Sequence, residues 1–149
     1  MKGLFCTGIG VFGGAVAALF GGWDTALVTL LIFMGIDYVT GLIVAGIFHK
    51  SPKTEGGALE SKAGWKGLIR KGVTLLIVLI AHRIDLMFGS TFVRDAVVIS
   101  FTVNELLSII ENGGLMGVPM PPILIQAVEV LKKKADVDIN GEEQDHEDD

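Results

Sequence analysis

The segment from Thr25 to Phe48 constrains this chain most, because its 24 residues are almost continuously apolar and carry one carboxylate, Asp37, near their middle. A helix of that length extends about 36 Å, enough to cross the roughly 30 Å hydrocarbon core of a bilayer with some tilt. The segment therefore predicts a membrane-spanning helix. Because a lone Asp at bilayer depth is costly, we expect its side chain to face other helices or water rather than lipid.

Composition favours the same interpretation. The chain has 149 residues, of which 50% are hydrophobic, and this predicts one small all-α integral membrane domain. The single cysteine, Cys6, excludes an internal disulfide framework and a cysteine-rich metal site. His82 lies three residues from Asp85, a weak signal for catalysis that no nucleophile elbow or metalloprotease helix motif accompanies. We therefore predict no enzyme activity, no cofactor and no metal.

Breaks in the apolar sequence predict two helical hairpins within residues 1–112. Trp23-Asp24 separates the first two segments and Gly89-Ser90 separates the last two. The third segment is only 17 residues long and carries His82, Arg83 and Asp85, so the sequence leaves three and four spans both open. The four predicted segments are residues 3–22, 25–48, 72–88 and 91–111.

Small residues recur every four positions along the first segment, at Gly10, Gly14, Ala18 and Gly22. Such spacing lets helix backbones approach closely in lipid, so this face is the predicted seam for helix packing or oligomer formation. A cleaved secretory signal is the alternative, since Lys2 and the apolar run loosely fit that pattern.

Residues 49–71 form a polar connection with six basic residues against two acidic ones. By the positive-inside rule this connection is cytoplasmic, and the lysines at 132–134 then place both chain termini in the cytoplasm as well. Its second half predicts a short basic helix on anionic lipid headgroups, and nucleic-acid binding is the weaker alternative. The predicted lipid-contacting residues are Lys62, Trp65, Lys66, Arg70 and Lys71.

Two helix faces carry polar residues that lipid would not tolerate. On the second segment, helical spacing places Thr29, Asp37, Thr40, Gly41 and Ala45 on one face. On the fourth, a polar stripe comprises Arg94, Thr102, Glu105, Ser108 and Asn112. Near the membrane edge, we expect charge pairing of Arg83 or Arg94 with Asp85 or Asp95.

The C-terminal part of the chain leaves the bilayer at a Gly/Pro-rich linker. Residues 113–134 comprise this linker and an amphipathic helix from Pro122 to Lys134, with Ile123, Leu124 and Leu131 on its apolar face. Residues 135–149 are acidic and lack aromatic side chains, which predicts a disordered tail.

A series of short motifs lies between Trp23 and Lys134. They are Trp23-Asp24, Phe33 to Tyr38, Thr40-Gly41, Ala45-Gly46, Ser51 to Thr54, Ser61-Lys62, Gly64 to Gly67, Ile84-Asp85, Arg94-Asp95, Asn104-Glu105, Ser108-Ile109, Glu111-Asn112 and Gly117 to Pro119. In their order and spacing, which are more specific than any one motif, they resemble the toxin-secretion and phage-lysis holin family, particularly its clostridial toxin-export members.

This resemblance implies a non-enzymatic, self-assembling protein of the bacterial cytoplasmic membrane that opens lesions for an endolysin or a large toxin. The acidic tail departs from the basic C-terminal ends common among holins. The intramembrane polar residues expected to line or gate a lesion are Asp37, Thr40, Gly41, Asp85 and Glu105, with Arg83 and Arg94 partly neutralising the acids. A small ion channel or proton-coupled transporter, and a structural membrane subunit, stay open as alternatives.

Overall fold

The structure, a computed structural model, describes the backbone of residues 1–144 and the side chains of residues 1–136. Within the described chain, the regular structure is entirely helical, which confirms the predicted all-α class. By length and composition, α1 and α2 are both apolar enough to span a membrane. The five helices are α1 (Lys2–Leu19), α2 (Thr25–Gly46), α3 (Ser61–Phe88), α4 (Phe92–Leu115) and α5 (Pro122–Gln144).

Helix α2 begins where its sequence supplies a cap. The Asp24 carboxylate accepts a hydrogen bond from the backbone N–H of Leu27 at 2.9 Å, which satisfies one of the free donors of the first turn. Polar groups farther along the helix also find partners within it. The hydroxyl of Thr40, for example, donates to the carbonyl of Ile36 at 2.9 Å. An apolar helix can therefore carry threonines without exposing an unpaired donor.

Helix α4 is the centre of the bundle, since α2, α3 and α5 all pack against it. One part of the core joins α2, α3 and α4 through Leu30, Val78 and Val98, each almost fully buried. A second part joins α4 to α5 through Leu106 and Val128. Four polar side chains of α4 consequently lie inside the bundle as well, because the same helix faces neighbours on several sides: Arg94, Thr102, Glu105 and Asn112.

Helix α3 differs from the prediction, because the basic segment and the third apolar segment form one continuous helix of 28 residues. Only residues 49–60 remain a non-helical connection. Once a helix is nucleated, each further residue adds a backbone hydrogen bond, and the sequence around Lys71 contains no proline to stop it. The helix ends at Gly89, whose left-handed conformation (φ 68°) is the usual glycine C-terminal cap.

Helix α1 does not form the predicted hairpin with α2. It ends at Leu19, so Gly22 lies outside the helix, and it has no extensive contact with another helix of the described chain. Among the described residues, nothing outside α1 lies within 4 Å of the place that a Cβ on Gly10 or Gly14 of the predicted seam would take. The turn explains the geometry: Gly21 and Gly22 both have positive φ and direct α1 away from the bundle.

Helix α5 is longer than predicted and runs back along α4. Its backbone is helical to Gln144, so residues 135–144 are not the irregular tail expected from their acidity. The apolar stripe continues as far as Ala135, which is buried, and this contact supports the extra turns. Residues 145–149 of the predicted tail lie outside the described part of the chain.

Candidate functional site

Three charged side chains from three different helices meet inside the bundle. The Lys71 ammonium of α3 lies 2.7 Å from Oδ2 of Asp37 on α2 and 2.5 Å from Oε2 of Glu105 on α4. Asn112, also on α4, donates from Nδ2 to Oδ1 of Asp37 at 3.2 Å. We call Asp37, Lys71, Glu105 and Asn112 the Lys71 cluster.

The small and polar residues beside Asp37 allow α4 to approach α2 closely. The amide nitrogen of Asn112 donates to the Thr40 hydroxyl at 2.9 Å. A side chain on Gly41 would have its Cβ 3.8 Å from that same nitrogen. Two of the residues predicted to share a face with Asp37 therefore lie at the helix contact, where they support the cluster.

Helical spacing explains why these particular positions meet. Glu105 and Asn112 are seven residues apart on α4 and so project from one face. On α3, Lys71 shares a face with Val78 and Asp85, both of which are buried against α4. That spacing is the sequence signal that could have identified Lys71 as an interior residue.

The cluster is buried and carries more negative than positive charge. The side chains of Asp37 and Glu105 are only 7% and 9% exposed, and that of Lys71 is 15% exposed. When all three groups are ionised, two carboxylates share one ammonium and one negative charge is uncompensated. Every buried side-chain nitrogen and oxygen of the described residues nevertheless has a hydrogen-bond partner.

Lys71 is the main departure from the sequence-based assignment of site residues. It was expected to contact lipid headgroups, whereas the structure places it between two carboxylates. The positive-inside rule treats residues 49–71 as a loop, but Lys71 belongs to a helix that packs against α4. The other four residues of that set, Lys62, Trp65, Lys66 and Arg70, are exposed.

A second group of charges lies near the turn between α1 and α2. The Arg94 guanidinium makes a two-pronged contact with Asp24, at 2.7 Å to Oδ2 and 3.1 Å to Oδ1. Its Nε donates to the carbonyl of Phe20 at 2.6 Å, and Asp95 lies farther away at 3.4 Å. Hydrogen bonding to Arg94 is the largest influence on Asp24 and holds the pKa of that carboxyl below its ordinary value.

Asp85 completes this second group and organises the start of α4. Its carboxylate accepts hydrogen bonds from the Ser90 hydroxyl at 2.7 Å and from the backbone N–H groups of Val93 and Arg94 at 3.1 and 2.8 Å. The structure thus places the Asp85 carboxylate at the N-terminal end of α4, where a negative charge is favourable. We call Asp24, Asp85, Arg94 and Asp95 the Arg94 cluster.

Arg83 takes no part in either cluster. Its side chain is exposed, and in the described part of the chain it forms no ion pair. The Asp85 carboxylate accepts hydrogen bonds from the backbone at the beginning of α4 instead of pairing with Arg83. Of the two arginines, only Arg94 forms ion pairs in the described part of the chain: with Asp24, which lies outside the predicted pairs, and at 3.4 Å with Asp95, which lies within them. Neither arginine forms an ion pair there with the predicted intramembrane acids Asp37, Asp85 and Glu105.

Water has a route toward the Lys71 cluster. A cavity of about 290 Å³ lies between α3 and α4 and is lined by Asp37, Lys71 and Glu105 together with Thr74 and Ser108. No group of three or more His, Cys, Asp and Glu side chains that could hold a metal occurs among the described residues.

Comparison with known proteins identifies relatives of this chain. A family sequence model, described as the bacteriophage holin family, matches residues 14–133. An uncharacterised protein of Listeria innocua is 36% identical over 143 residues, which cover 95% of this chain and 94% of the relative. A protein of Bacillus phage phi105 named as a probable holin is 32% identical over 108 residues, covering 72% of this chain and 74% of the relative. No solved structure matches the chain significantly.

Proposed function

The chain belongs to the bacteriophage holin family, and from that premise we propose that it assembles in the bacterial cytoplasmic membrane into lesions that release an endolysin or a large toxin. The membrane location follows from the family and from two helices, α1 and α2, that are long and apolar enough to span. The proposed activity is a change of assembly, with no enzymatic step.

The observation that carries this proposal is the Lys71 cluster, buried in a bundle whose helix α2 exposes apolar side chains. A lesion-forming protein must first exist in the membrane with its charges hidden and later turn polar surface toward water. Asp37 and Glu105 are hidden now, while Ile32, Ile36 and Val39 of α2 point outward. Since one lysine serves two carboxylates, separating the helices exposes charges that lipid disfavours and water accepts.

Helix α1 supplies a surface for self-assembly in this proposal. Its apolar side chains, including Leu4, Phe5 and Phe12, are largely exposed, and in the part of the chain that the structure describes no other segment lies against Gly10 or Gly14. Small-residue faces of this kind support close helix contacts between membrane proteins. We therefore propose homo-oligomers in which α1 of one copy packs on another copy.

The exposed part of α3 fits an anionic membrane surface. Lys62, Lys66 and Arg70 are exposed beside Trp65 and Ile69, which are 65% and 61% exposed. Basic and aromatic side chains together are favourable at the headgroup level of the cytoplasmic leaflet. The proposal accordingly has α1 and α2 crossing the membrane and both chain termini in the cytoplasm.

The test is to express the chain alone in a bacterial host and to follow two signals. Leakage of potassium reports any permeability, and escape of a folded cytoplasmic enzyme reports large lesions. The proposed function requires an abrupt loss of both. Loss of potassium alone would support a small ion channel instead, and loss of neither would support a structural membrane subunit.

The variant Asp37→Asn connects this activity to the Lys71 cluster. Removing one carboxylate leaves Lys71 paired with Glu105 alone, so we expect the onset of enzyme release to shift severalfold at equal expression. Glu111→Gln is the matched control, since Glu111 is an exposed carboxylate on α4. An unchanged onset of enzyme release for Asp37→Asn would contradict a role of the Lys71 cluster in lesion formation.

A further inference from the structure

Helix α5 is packed against α4 by its apolar side. Val128 is 4% exposed and lies in one buried cluster with Val103 and Leu106 of α4. Toward its C-terminal end, Lys132 and Ala135 line a cavity with Ser100 of α4. Because α5 follows the end of α4 and returns toward its beginning, the two helices are antiparallel.

Packed in this way, α5 places charged side chains alongside the bundle that contains the apolar helix α2. Lys134 of α5 lines a groove with Thr25 and Ala26, at the beginning of α2. Glu129 and the lysines at 132–134 are exposed in this arrangement. If α2 and α4 lie side by side across the hydrocarbon core, α5 in this position would hold several unpaired charges at membrane depth, which lipid strongly disfavours.

We propose that α5 is an autoinhibitory helix, which holds α4 in a closed arrangement and must leave it before the bundle containing α4 crosses the membrane. This inference rests on the proposed function and adds to it the step that delays lesion formation. Departure of α5 uncovers the apolar face at Val103 and Leu106, which suits lipid or a second copy of the chain. The polar face of α5 then returns to water.

A pair of valines two positions apart on α5 gives a matched test. Val128 is buried against α4, whereas Val130 is 64% exposed on the same helix. We expect Val128→Lys to weaken the contact and to bring the onset of enzyme release forward at least twofold. Val130→Lys introduces the same charge without touching α4 and should keep the wild-type onset.

A reversible cross-link tests the opposite direction and does not depend on the folding of Val128→Lys. Leu106→Cys and Val128→Cys are combined in a Cys6→Ser background, because Cys6 is the single native cysteine. Oxidation should join α4 and α5 within one chain and prevent enzyme release, and a reducing agent should restore it. Each single-cysteine variant is the control for oxidation alone.

The outcomes separate this inference from the proposed function. Equal onsets for the two lysine variants at equal membrane abundance, failure of the cysteines to join, or normal release from the cross-linked chain would each overturn the role of α5. If the wild-type chain releases neither potassium nor enzyme, the proposed function itself is wrong and the inference is withdrawn with it.

Discussion

The two buried charge clusters use similar residues in different surroundings. The Arg94 cluster lies at helix ends, where Asp85 binds the free N–H groups that begin α4 and Arg94 binds the carbonyl of Phe20. The Lys71 cluster lies within three helices, whose backbone groups are already paired. Its charges are therefore satisfied almost entirely by other side chains, among them the amide of Asn112.

This difference distinguishes the Arg94 cluster, a structural contact, from the Lys71 cluster, a contact able to change. Asp24 of the Arg94 cluster has a side chain that is 46% exposed, so it can bind water if its partner leaves. The side chains of Asp37 and Glu105 are only 7% and 9% exposed, so both depend on Lys71 while the bundle is closed. The comparison teaches that a charged side chain at a helix end tolerates the loss of its partner. A charged side chain buried between helix centres must keep its partner, or the helices must move apart.

Loss of Lys71 should therefore have the largest effect on stability. Lys71→Met removes the cation that is ion-paired with both buried carboxylates, and breaking a buried ion pair in this way costs about 3–5 kcal/mol. The measurement is unfolding by SDS in mild detergent micelles, followed by circular dichroism. Lys66→Met, at an exposed position of the same helix, should change the free energy of unfolding little. An equal loss of unfolding free energy in both variants would show that Lys71 matters no more to stability than the exposed Lys66.

Loss of Arg94 should have a smaller effect. Arg94→Met leaves Asp24 free to hydrate and one carbonyl without its donor, so we expect a loss of about 1.5–3 kcal/mol, the usual range for hydrogen bonds that involve a charged group. The same unfolding assay applies, with the exposed Arg83→Met as control. If Arg94→Met lowers the free energy of unfolding more than Lys71→Met does, the Lys71 cluster is not the more sensitive of the two.

The smallest expected effect is the response of Asp24 to acid. Its pKa in the folded chain lies below the ordinary value of 3.8, because Arg94 favours the ionised form. Stability from this pair is thus fully present above the ordinary pKa and is lost as pH falls through the lowered folded pKa. As a partly exposed pair it should contribute no more than about 1 kcal/mol.

The difference in thermal midpoint between wild type and Asp24→Asn isolates this contribution. It should be constant from pH 7 to about pH 5 and should shrink below about pH 4, where the wild-type carboxylate becomes protonated. The variant that keeps the charge, Asp24→Glu, tests whether geometry also matters. A difference that grows on acidification would contradict the assigned direction of the pKa.

Much of the architecture follows from local sequence. The apolar run around Asp37 predicts α2, and the polar stripe through Glu105 and Asn112 predicts the side of α4 that is buried. Hydrophobic period and helix caps are local properties, so they can be recognised without a partner. The separation of α1 from α2 could not be predicted in the same way, because it depends on the geometry of Gly21 and Gly22.

By itself, the sequence determined that Asp37 sits in an apolar helix and must avoid lipid, and that α4 carries a second polar face. Only the tertiary structure decided which cation serves them, because Lys71 is 34 residues from each carboxylate along the chain. Helical spacing fixes the face on which a side chain projects, but the rotation and depth of each helix decide which faces meet. Packing against α4 brings those three faces together and turns a basic residue of the presumed loop into the centre of the site.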